Sequence, residues 1–329
     1  MSTATTTAII NTVTRWLNYV VALPMIVFGI IGAILTVFVF TRQPKFRQNP
    51  TIIYLLAGAV ITAVHLPCNY LQSTLVDGFG LGLFNVNIAN CRQQNYFRYM
   101  QVVSAISFPC WAAFDQYVST CRDANVRNRW RSMRLVRCAI IGTVLFWTIV
   151  YLPLIFNSII INGSCTLIDN PYRKFLNFVL TPFVYTIGPI TLIIVLTRGT
   201  IRNLRCTNLG QHRDHLTKQI RRMLVPQLIV LAISGIPFGL QNIYTDLTSS
   251  IQKDSLRKAI ELFFIQIVRL FYHCNFVCTF YIYCYTSNEV RHVLKRYVRR
   301  RLRRGQVEPT DVSINNSFTL QTMKSTYHT

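Results

Sequence analysis

Residues 19–40 read YVVALPMIVFGIIGAILTVFVF, and none of these residues carries a charge. A helix that crosses the hydrocarbon core of a bilayer, about 30 Å thick, requires about 20 consecutive and mostly apolar residues. Inside that core the backbone polar groups must be satisfied within the protein, which an α-helix achieves in a single segment. This stretch therefore predicts a helix that spans a membrane.

Six further apolar stretches of similar length follow, separated by short polar connections. None of the connections is long enough to form a second domain. The predicted fold class is an all-α membrane protein, a seven-transmembrane-helix bundle that occupies residues 16–285. Its spans are predicted at residues 16–41, 51–74, 96–119, 138–161, 175–197, 223–244 and 259–285.

The composition agrees with a membrane protein. Hydrophobic residues make up 51% of the chain and charged residues only 14%, whereas about 25% of the residues in soluble domains are charged. Yet 34 Lys and Arg stand against 11 Asp and Glu, a formal net charge of +23. A nucleic-acid-binding protein would be basic without being so apolar, so no nucleic acid is expected as a partner. The composition also excludes a disordered chain, a coiled coil and most soluble enzymes.

The basic residues are concentrated on one side of the predicted bundle. The connections after spans one, three and five and the C-terminal segment carry 25 of the 34 Lys and Arg, so the net charges of the two sides are +19 and +4. Connections rich in Lys and Arg remain in the cytoplasm. We therefore expect a multi-pass protein of the plasma membrane, with a short extracellular N-terminus at residues 1–15 and a cytoplasmic C-terminus.

The C-terminal segment divides into two parts. Residues 286–304 are predicted to form a basic amphipathic helix on the inner membrane surface. Anionic lipids there attract Lys and Arg at about 1 kcal/mol per residue, so membrane lipids are expected partners. Residues 305–329 are predicted to be a disordered cytoplasmic tail with several Ser and Thr residues.

Several motifs occur in the order and spacing of one receptor family. A cysteine precedes the third span, a second follows the fourth span, and the inner end of the third span reads Asp-Gln-Tyr; the matching residues are Cys91, Cys165, Asp115, Gln116, Tyr117, Trp147, Pro189, Pro237 and Tyr283. Over nearly its whole length the chain resembles a rhodopsin-like (class A) G-protein-coupled receptor, and it looks most like the divergent invertebrate orphan receptors of that family.

The resemblance implies a disulfide between Cys91 and Cys165, an extracellular ligand, and a heterotrimeric G protein and arrestin as cytoplasmic partners. It also implies that four residues lie at the G-protein-coupling face: Asp115, Gln116, Tyr117 and Tyr283. Gln116 stands where the family has the Arg of its Asp-Arg-Tyr motif. The alternative function is therefore a receptor-fold decoy, or a non-signalling membrane protein that binds a ligand.

Other departures from the family pattern concern a buried polar network. Ala33, Val60 and Thr279 stand where the family has Asn, Asp and Asn, so no sodium ion is expected in the bundle. Gly235 stands where a Trp is expected, two residues before Pro237. The joint loss of interacting polar groups is nearly neutral, whereas the loss of one partner costs about 1–3 kcal/mol.

Two arginines in the predicted spans indicate the class of ligand. Charged residues inside spans are costly and by default mark functional sites. By resemblance, Arg98 and Arg269 face the ligand cavity, and Arg98 occupies the position of the Asp found in amine receptors. A peptide with a free carboxylate or a small anionic molecule is therefore expected rather than an amine. The expected binding residues are Arg98, Tyr99, Gln241, Asn242, Gln266 and Arg269, with Tyr272 beside them.

A structural role for the two arginines remains open. Arg98 would then pair with Asp77 or Asp169, and Arg269 with Glu261 or Asp246, or either side chain would extend to the membrane interface. In addition, Asn162-Gly163-Ser164 is an N-glycosylation sequon on the predicted extracellular side.

Other seven-span classes lack support in the sequence. The seventh span has no Lys to form a Schiff base with retinal, and no repeated half indicates a transporter. His65 and His273 are isolated in the sequence, so no metal site is expected. We therefore expect neither an enzyme nor a cofactor.

Overall fold

The first helix is longer than its apolar core. In the computed structural model, which describes residues 2–80, 87–161, 164–205, 214–249 and 251–305, helix α1 runs from Thr3 to Arg42. Ser2 caps its N-terminus by accepting a hydrogen bond from the backbone N–H of Thr5. Most of residues 1–15, predicted as a separate N-terminal segment, is thus helical and continuous with the first span.

Seven further helices follow, with short helical turns at Pro44–Arg47, Ala124–Trp130 and Pro153–Asn157. Helix α2 comprises Pro50–His65, Leu66–Tyr70 and Leu71–Phe79; α3 is Ile88–Ser119 and α4 is Met133–Tyr151. Helix α5 begins with Pro171–Phe175 and ends with Gly188–Arg205. The remaining helices are α6 (Asp214–Leu247), α7 (Ser255–Thr286) and α8 (Asn288–Gly305).

Wide π-helical turns interrupt three of these helices close to prolines. They lie at Asn18–Ala22 before Pro24, at Leu66–Tyr70 around Pro67, and at Leu176–Leu180 and Phe183–Ile187 on either side of Pro182. A proline inside a helix has no N–H to donate, and its ring collides with the carbonyl four residues before it. A π-turn widens the helix locally and so accommodates the ring.

Among the described residues, six helices are long and apolar enough to cross a membrane, namely α1, α2, α4, α5, α6 and α7. Helix α3 has 32 residues but falls outside this group, since it carries Arg92, Arg98 and Asp115 together with several amides. It packs against α2, α4, α5 and α6. Because protein surrounds α3 on several sides, its polar residues face other helices rather than hydrocarbon.

The predicted fourth span is wrong at its C-terminal end. Helix α4 ends at Tyr151, and residues 158–161 form strand β1 (Ser158–Ile161) rather than helix. Strand β1 pairs antiparallel with β2 (Ser164–Leu167), with Ile160 opposite Cys165. Pro153 begins a new helical turn after α4, and the run of β-branched Ile159–Ile161 favours a strand. We call the end of the bundle that carries this hairpin the hairpin end, and the opposite end the α8 end.

Two apolar cores fill the bundle. The first, toward the hairpin end, contains Val103, Tyr151 and Tyr272. The second, toward the α8 end, contains Phe40, Phe108 and Tyr283. Large apolar side chains elsewhere point outward at helical spacing, for example Ile141, Leu145, Phe146 and Ile149 on α4. Such a surface requires an apolar environment around the bundle.

Candidate functional site

A disulfide fixes the hairpin against α3. Cys91, near the start of α3, is bonded to Cys165 in β2, and their Cα atoms are 5.6 Å apart. Asn95, one turn further along α3, donates a hydrogen bond of 3.1 Å to the hydroxyl of Ser158 in β1. The predicted pairing of Cys91 with Cys165 is therefore present, and the hairpin is tied to the first turns of α3.

The bundle contains a cavity, which we call the arginine cavity. It has about 950 Å³ of atom-free space and is partly open. Helices α2, α3, α5, α6 and α7 supply its walls. None of the described residues that line it is acidic. They are His65, Asn69, Tyr70, Ser73, Arg98, Tyr99, Val102, Thr181, Tyr185, Phe238, Gln241, Asn242, Ile265, Arg269, Tyr272 and His273.

The structure brings together five of the six residues predicted to bind the ligand. Arg98, Tyr99, Gln241, Asn242 and Arg269 all line the arginine cavity, as does Tyr272. Nη2 of Arg98 donates a hydrogen bond of 3.0 Å to Oγ of Ser73, which holds the guanidinium against α2.

Gln266 is the exception, because it is not among the residues that line the arginine cavity. It is 3% exposed, and its Nε2 donates a hydrogen bond of 2.5 Å to Oδ1 of the buried Asn18. Gln266 therefore lies between α7 and α1, where two amides satisfy each other. One helical turn separates it from Arg269 in the sequence, but its side chain points to a different neighbour.

Both acidic residues considered as partners of Arg269 form ion pairs with other residues. Asp246 lies 3.6 Å from Nη2 of Arg173. Glu261 lies 2.5 Å from Nζ of Lys253 and 3.1 Å from Nε of Arg257. The first pair joins the start of α5 to the end of α6, whereas the other two lie at the start of α7. The side chain of Asp77, considered for Arg98, lies outside the described residues.

The aromatic and imidazole rings divide the cavity into two sides. On the side formed by α2 and α7, the ring of His273 stacks on Tyr70 at 3.6 Å and lies parallel to His65 at 5.9 Å. On the side toward α5 and α6, Phe238 stacks on Tyr272 at 4.2 Å, with Tyr185 beside both. The cavity thus combines a polar, cationic side with an aromatic side.

His65 also lines the cavity, although the sequence did not predict it as a binding residue. It is 1% exposed, and its ring lies beside the side-chain amide of Gln101. The available signal was a titratable residue within an apolar span, which by itself marks a functional candidate. No group of three or more His, Cys, Asp or Glu that could hold a metal ion occurs in the part of the chain that the structure describes.

A second polar group lies at the α8 end, and we call it the α8-end cluster: Thr51, Asp115, Gln116 and Arg131. Asp115 is 4% exposed and accepts a hydrogen bond from the hydroxyl of Thr51. Its other oxygen lies 3.6 Å from Nε of Arg131, which belongs to the connection between α3 and α4. Gln116 donates a hydrogen bond of 2.7 Å from Nε2 to Thr51.

The other two residues predicted for the coupling face lie nearby. Tyr117 packs at the edge of the core that fills the α8 end. Tyr283 is 1% exposed, and its hydroxyl donates a hydrogen bond of 2.6 Å to Oε1 of Gln227 on α6. Thr51, Arg131 and Gln227 were not identified from the sequence, because no motif distinguishes them from other polar residues of the loops and helices.

Residues 32–283 match the family described as 7 transmembrane receptor (rhodopsin family). The chain belongs to the rhodopsin family of seven-transmembrane receptors. The match covers well over half of the sequence and includes both the arginine cavity and the α8-end cluster. The receptor is therefore a multi-pass membrane protein, and its family implies an extracellular ligand and a G protein as partners. No curated protein matches the chain.

Proposed function

We propose that this receptor binds an anionic extracellular ligand, either a small acid or a peptide with a free C-terminal carboxylate, in the arginine cavity and then activates a heterotrimeric G protein. The observation that carries the proposal is a cavity lined by Arg98 and Arg269 and, among the residues that the structure describes, by no acidic residue. Guanidinium groups bind carboxylates and phosphates through paired N–H donors. The volume of about 950 Å³ suits a small molecule or the end of a peptide.

The proposed topology has seven crossings, with α3 as the third. At 1.5 Å per residue, the 32 residues of α3 extend about 48 Å, which exceeds the hydrocarbon thickness. The distribution of Lys and Arg supports an extracellular hairpin end and a cytoplasmic α8 end. Helix α8 would then lie along the inner leaflet and contact anionic lipids.

The α8-end cluster supports a role in coupling. Asp115 keeps a cationic partner even though Gln116 replaces the family's Arg, because Arg131 approaches from the neighbouring connection. The α8 end of the bundle therefore retains a buried ion pair that links α3 to that connection. We propose that Asp115, Gln116, Tyr117 and Tyr283 form the part of the receptor that responds to the G protein.

The second candidate is a decoy that binds ligand without signalling. The observation in its favour is the hydrogen bond that holds Gln116 to Thr51, since it directs a neutral side chain into the bundle rather than toward a cytoplasmic partner. Ligand-stimulated G-protein activation, compared between the wild type and Gln116→Arg, separates the two functions. Activation by the wild type supports the signalling receptor, and activation by the Arg variant alone supports the decoy.

Three further assignments are part of the proposal. The sequon at Asn162 would carry a glycan, but this residue lies outside the described residues. The Ser and Thr of residues 306–329, also outside them, would bind arrestin after phosphorylation, since phosphate adds charge and acceptor oxygens. The ion pairs around Asp246 and Glu261 would fix the extracellular helix ends.

The ligand proposal is tested by a screen of small acids, small amines, and peptides with free or amidated C-termini on cells that express the full-length receptor. Any hit is then measured on Arg98→Gln and Arg269→Gln. Matched controls are Arg92→Gln on α3 and Arg257→Gln on α7, because neither residue lines the cavity. We expect acidic hits whose potency falls at least tenfold in the cavity variants alone. An amine hit insensitive to both variants would refute the proposal.

A further inference from the structure

We propose that the ligand carries, in addition to its anionic group, an aromatic ring with a hydroxyl group, and that this ring binds beside Thr181 and Tyr272 in the arginine cavity. This inference rests on the proposed function and specifies the ligand class for the same cavity. The observation that carries it is a pair of buried side-chain hydroxyls, those of Thr181 and Tyr272. Both residues line the cavity, and neither hydroxyl has a hydrogen-bond partner among the described residues.

The two hydroxyls belong to residues that are almost completely buried. Thr181 on α5 is 3% exposed, and Tyr272 on α7 is 1% exposed. Thr200, which is also buried on α5, donates its hydroxyl to the carbonyl of Leu196 one helical turn earlier, whereas Thr181 makes no such bond. A buried hydroxyl without a partner lowers stability, so its presence in a folded protein calls for an explanation. A ligand that supplies the missing hydrogen bonds provides one.

A wall of three aromatic rings adjoins these hydroxyls. The rings of Phe238 and Tyr272 are stacked, with their centroids 4.2 Å apart and 17° between their planes. Tyr185, one helical turn after Thr181 on α5, has its ring centroid 5.7 Å from that of Phe238 and 6.2 Å from that of Tyr272. Aromatic rings pack against one another in offset-stacked or edge-to-face contacts. The body of the ligand at this wall is therefore an aromatic ring.

The polar group on this ring is uncharged. None of the described lining residues is acidic, so a buried ammonium group would have no counter-charge there. The hydroxyls of Thr181 and Tyr272 can each donate one hydrogen bond and accept others. A phenolic hydroxyl on the ligand can do the same, and so can donate to one of them while it accepts from the other. Sites built to hydrogen-bond a hydroxyl discriminate against analogues that lack it.

The test uses the purified full-length chain in discs of neutral phosphatidylcholine, with the rise in Tm at increasing probe concentration as the measure of affinity. The probes are 4-hydroxyphenylacetate, 4-methylphenylacetate and the neutral amides of these two acids. A methyl group has nearly the size of a hydroxyl but forms no hydrogen bond, so each hydroxyl–methyl pair isolates the hydroxyl. We expect the hydroxyl probe to bind about fivefold more tightly than its methyl counterpart, the ratio given by one net hydrogen bond.

Variants locate the effect. Tyr272→Phe and Thr181→Val each remove one hydroxyl and keep the shape of the side chain. Each should lower the hydroxyl preference, and the double variant should abolish it, while the affinity for the methyl probes stays the same. Tyr172→Phe is the matched control, because its hydroxyl is also buried without a partner in the described part of the chain, but Tyr172 does not line the cavity.

The stability of the ligand-free variants gives a second readout. Because Tyr272→Phe and Thr181→Val remove buried hydroxyls that have no partner among the described residues, neither should lower the Tm of the ligand-free receptor. A fall in Tm would show that the hydroxyl is satisfied within the protein, and would overturn the inference. If a variant does not fold, that result counts in the same way.

The outcomes distinguish this inference from the proposed function. Equal affinity for the hydroxyl and methyl probes on the wild type would overturn the hydroxyl site, and so would a hydroxyl preference that survives in the double variant. If acids still bind more tightly than amides, the anionic ligand stands. A hydroxyl preference in both pairs, with amides equal to acids, would overturn the anionic ligand and leave the hydroxyl site intact. Absence of stabilisation by all four probes would overturn both.

Discussion

Arg131 reaches across from the connection between α3 and α4 and places its Nε 3.6 Å from Oδ1 of Asp115. The family pattern provides Asp115 with an adjacent Arg, and here that position is Gln116. The charge of the buried carboxylate is thus balanced from a different part of the chain. The third helix consequently depends on the loop that follows it.

Arg131→Ala should destabilise the receptor. Removal of Arg131 leaves the buried carboxylate of Asp115 without this cationic partner, and we expect a loss of about 1–3 kcal/mol, measured as a lower Tm of the purified protein. Arg129→Ala, in the same connection but exposed, is the control. Equal Tm values for the two variants would show that the ion pair does not support α3.

Tyr283→Phe should weaken the contact between α7 and α6. The substitution removes only the hydroxyl that donates to Gln227 and leaves that buried amide oxygen unsatisfied. We expect a destabilisation of about 1–2 kcal/mol, followed as a fall in Tm. Tyr285→Phe, at a residue 85% exposed, should leave Tm unchanged. If both variants behave alike, the hydrogen bond contributes nothing to stability.

Cys91→Ser should reduce both stability and the amount of receptor at the cell surface. The disulfide joins residues 74 positions apart, and closing a loop of this length restricts the unfolded chain by about 4 kcal/mol. Surface labelling and Tm measure the effect, and Cys138→Ser, at an exposed free cysteine, is the control. A Cys91→Ser receptor with wild-type Tm would contradict the structural role of the hairpin tether.

Gln266→Leu should lower stability without changing the response to an anionic ligand. The substitution leaves Asn18 as a buried amide without its partner on α7, at a cost of about 1–3 kcal/mol. A dose–response curve measured at matched surface expression should retain its midpoint. A shift in the midpoint as large as that of Arg269→Gln would restore Gln266 to the binding site.

The apolar spans could be predicted from the sequence because bilayer thickness imposes a length on every crossing helix. The end of α4 could not, since Ile159–Ile161 are as suitable for a membrane helix as for the strand they form. The helix before residue 16 was not predicted either, because its residues are less apolar than those of a membrane span. Its first turns are rich in Thr, and these hydroxyls bond to carbonyls of the preceding turn, as Thr7 does to Thr3.

The site was only partly predictable. Arg98 and Arg269 stand out because charges within spans are rare, and the structure places both in one cavity. The hydrogen bond of Gln266 to Asn18 could not be predicted, because spacing along a helix does not reveal which neighbour each face meets. Arg131 is one of many arginines in basic connections, so only the folded chain distinguishes it as the partner of Asp115.

A double-mutant cycle between ligand and receptor measures whether Arg269 binds the negative charge of the ligand. An activating acid and its neutral amide are each titrated on the wild type and on Arg269→Gln. Interacting groups give non-additive free energies, with couplings of 0.5–3 kcal/mol. We predict that the amide is less potent than the acid on the wild type, and that Arg269→Gln lowers the potency of the amide little further. If the loss caused by the amide and the loss caused by Arg269→Gln add in full, Arg269 does not contact the charge, which would contradict the proposal.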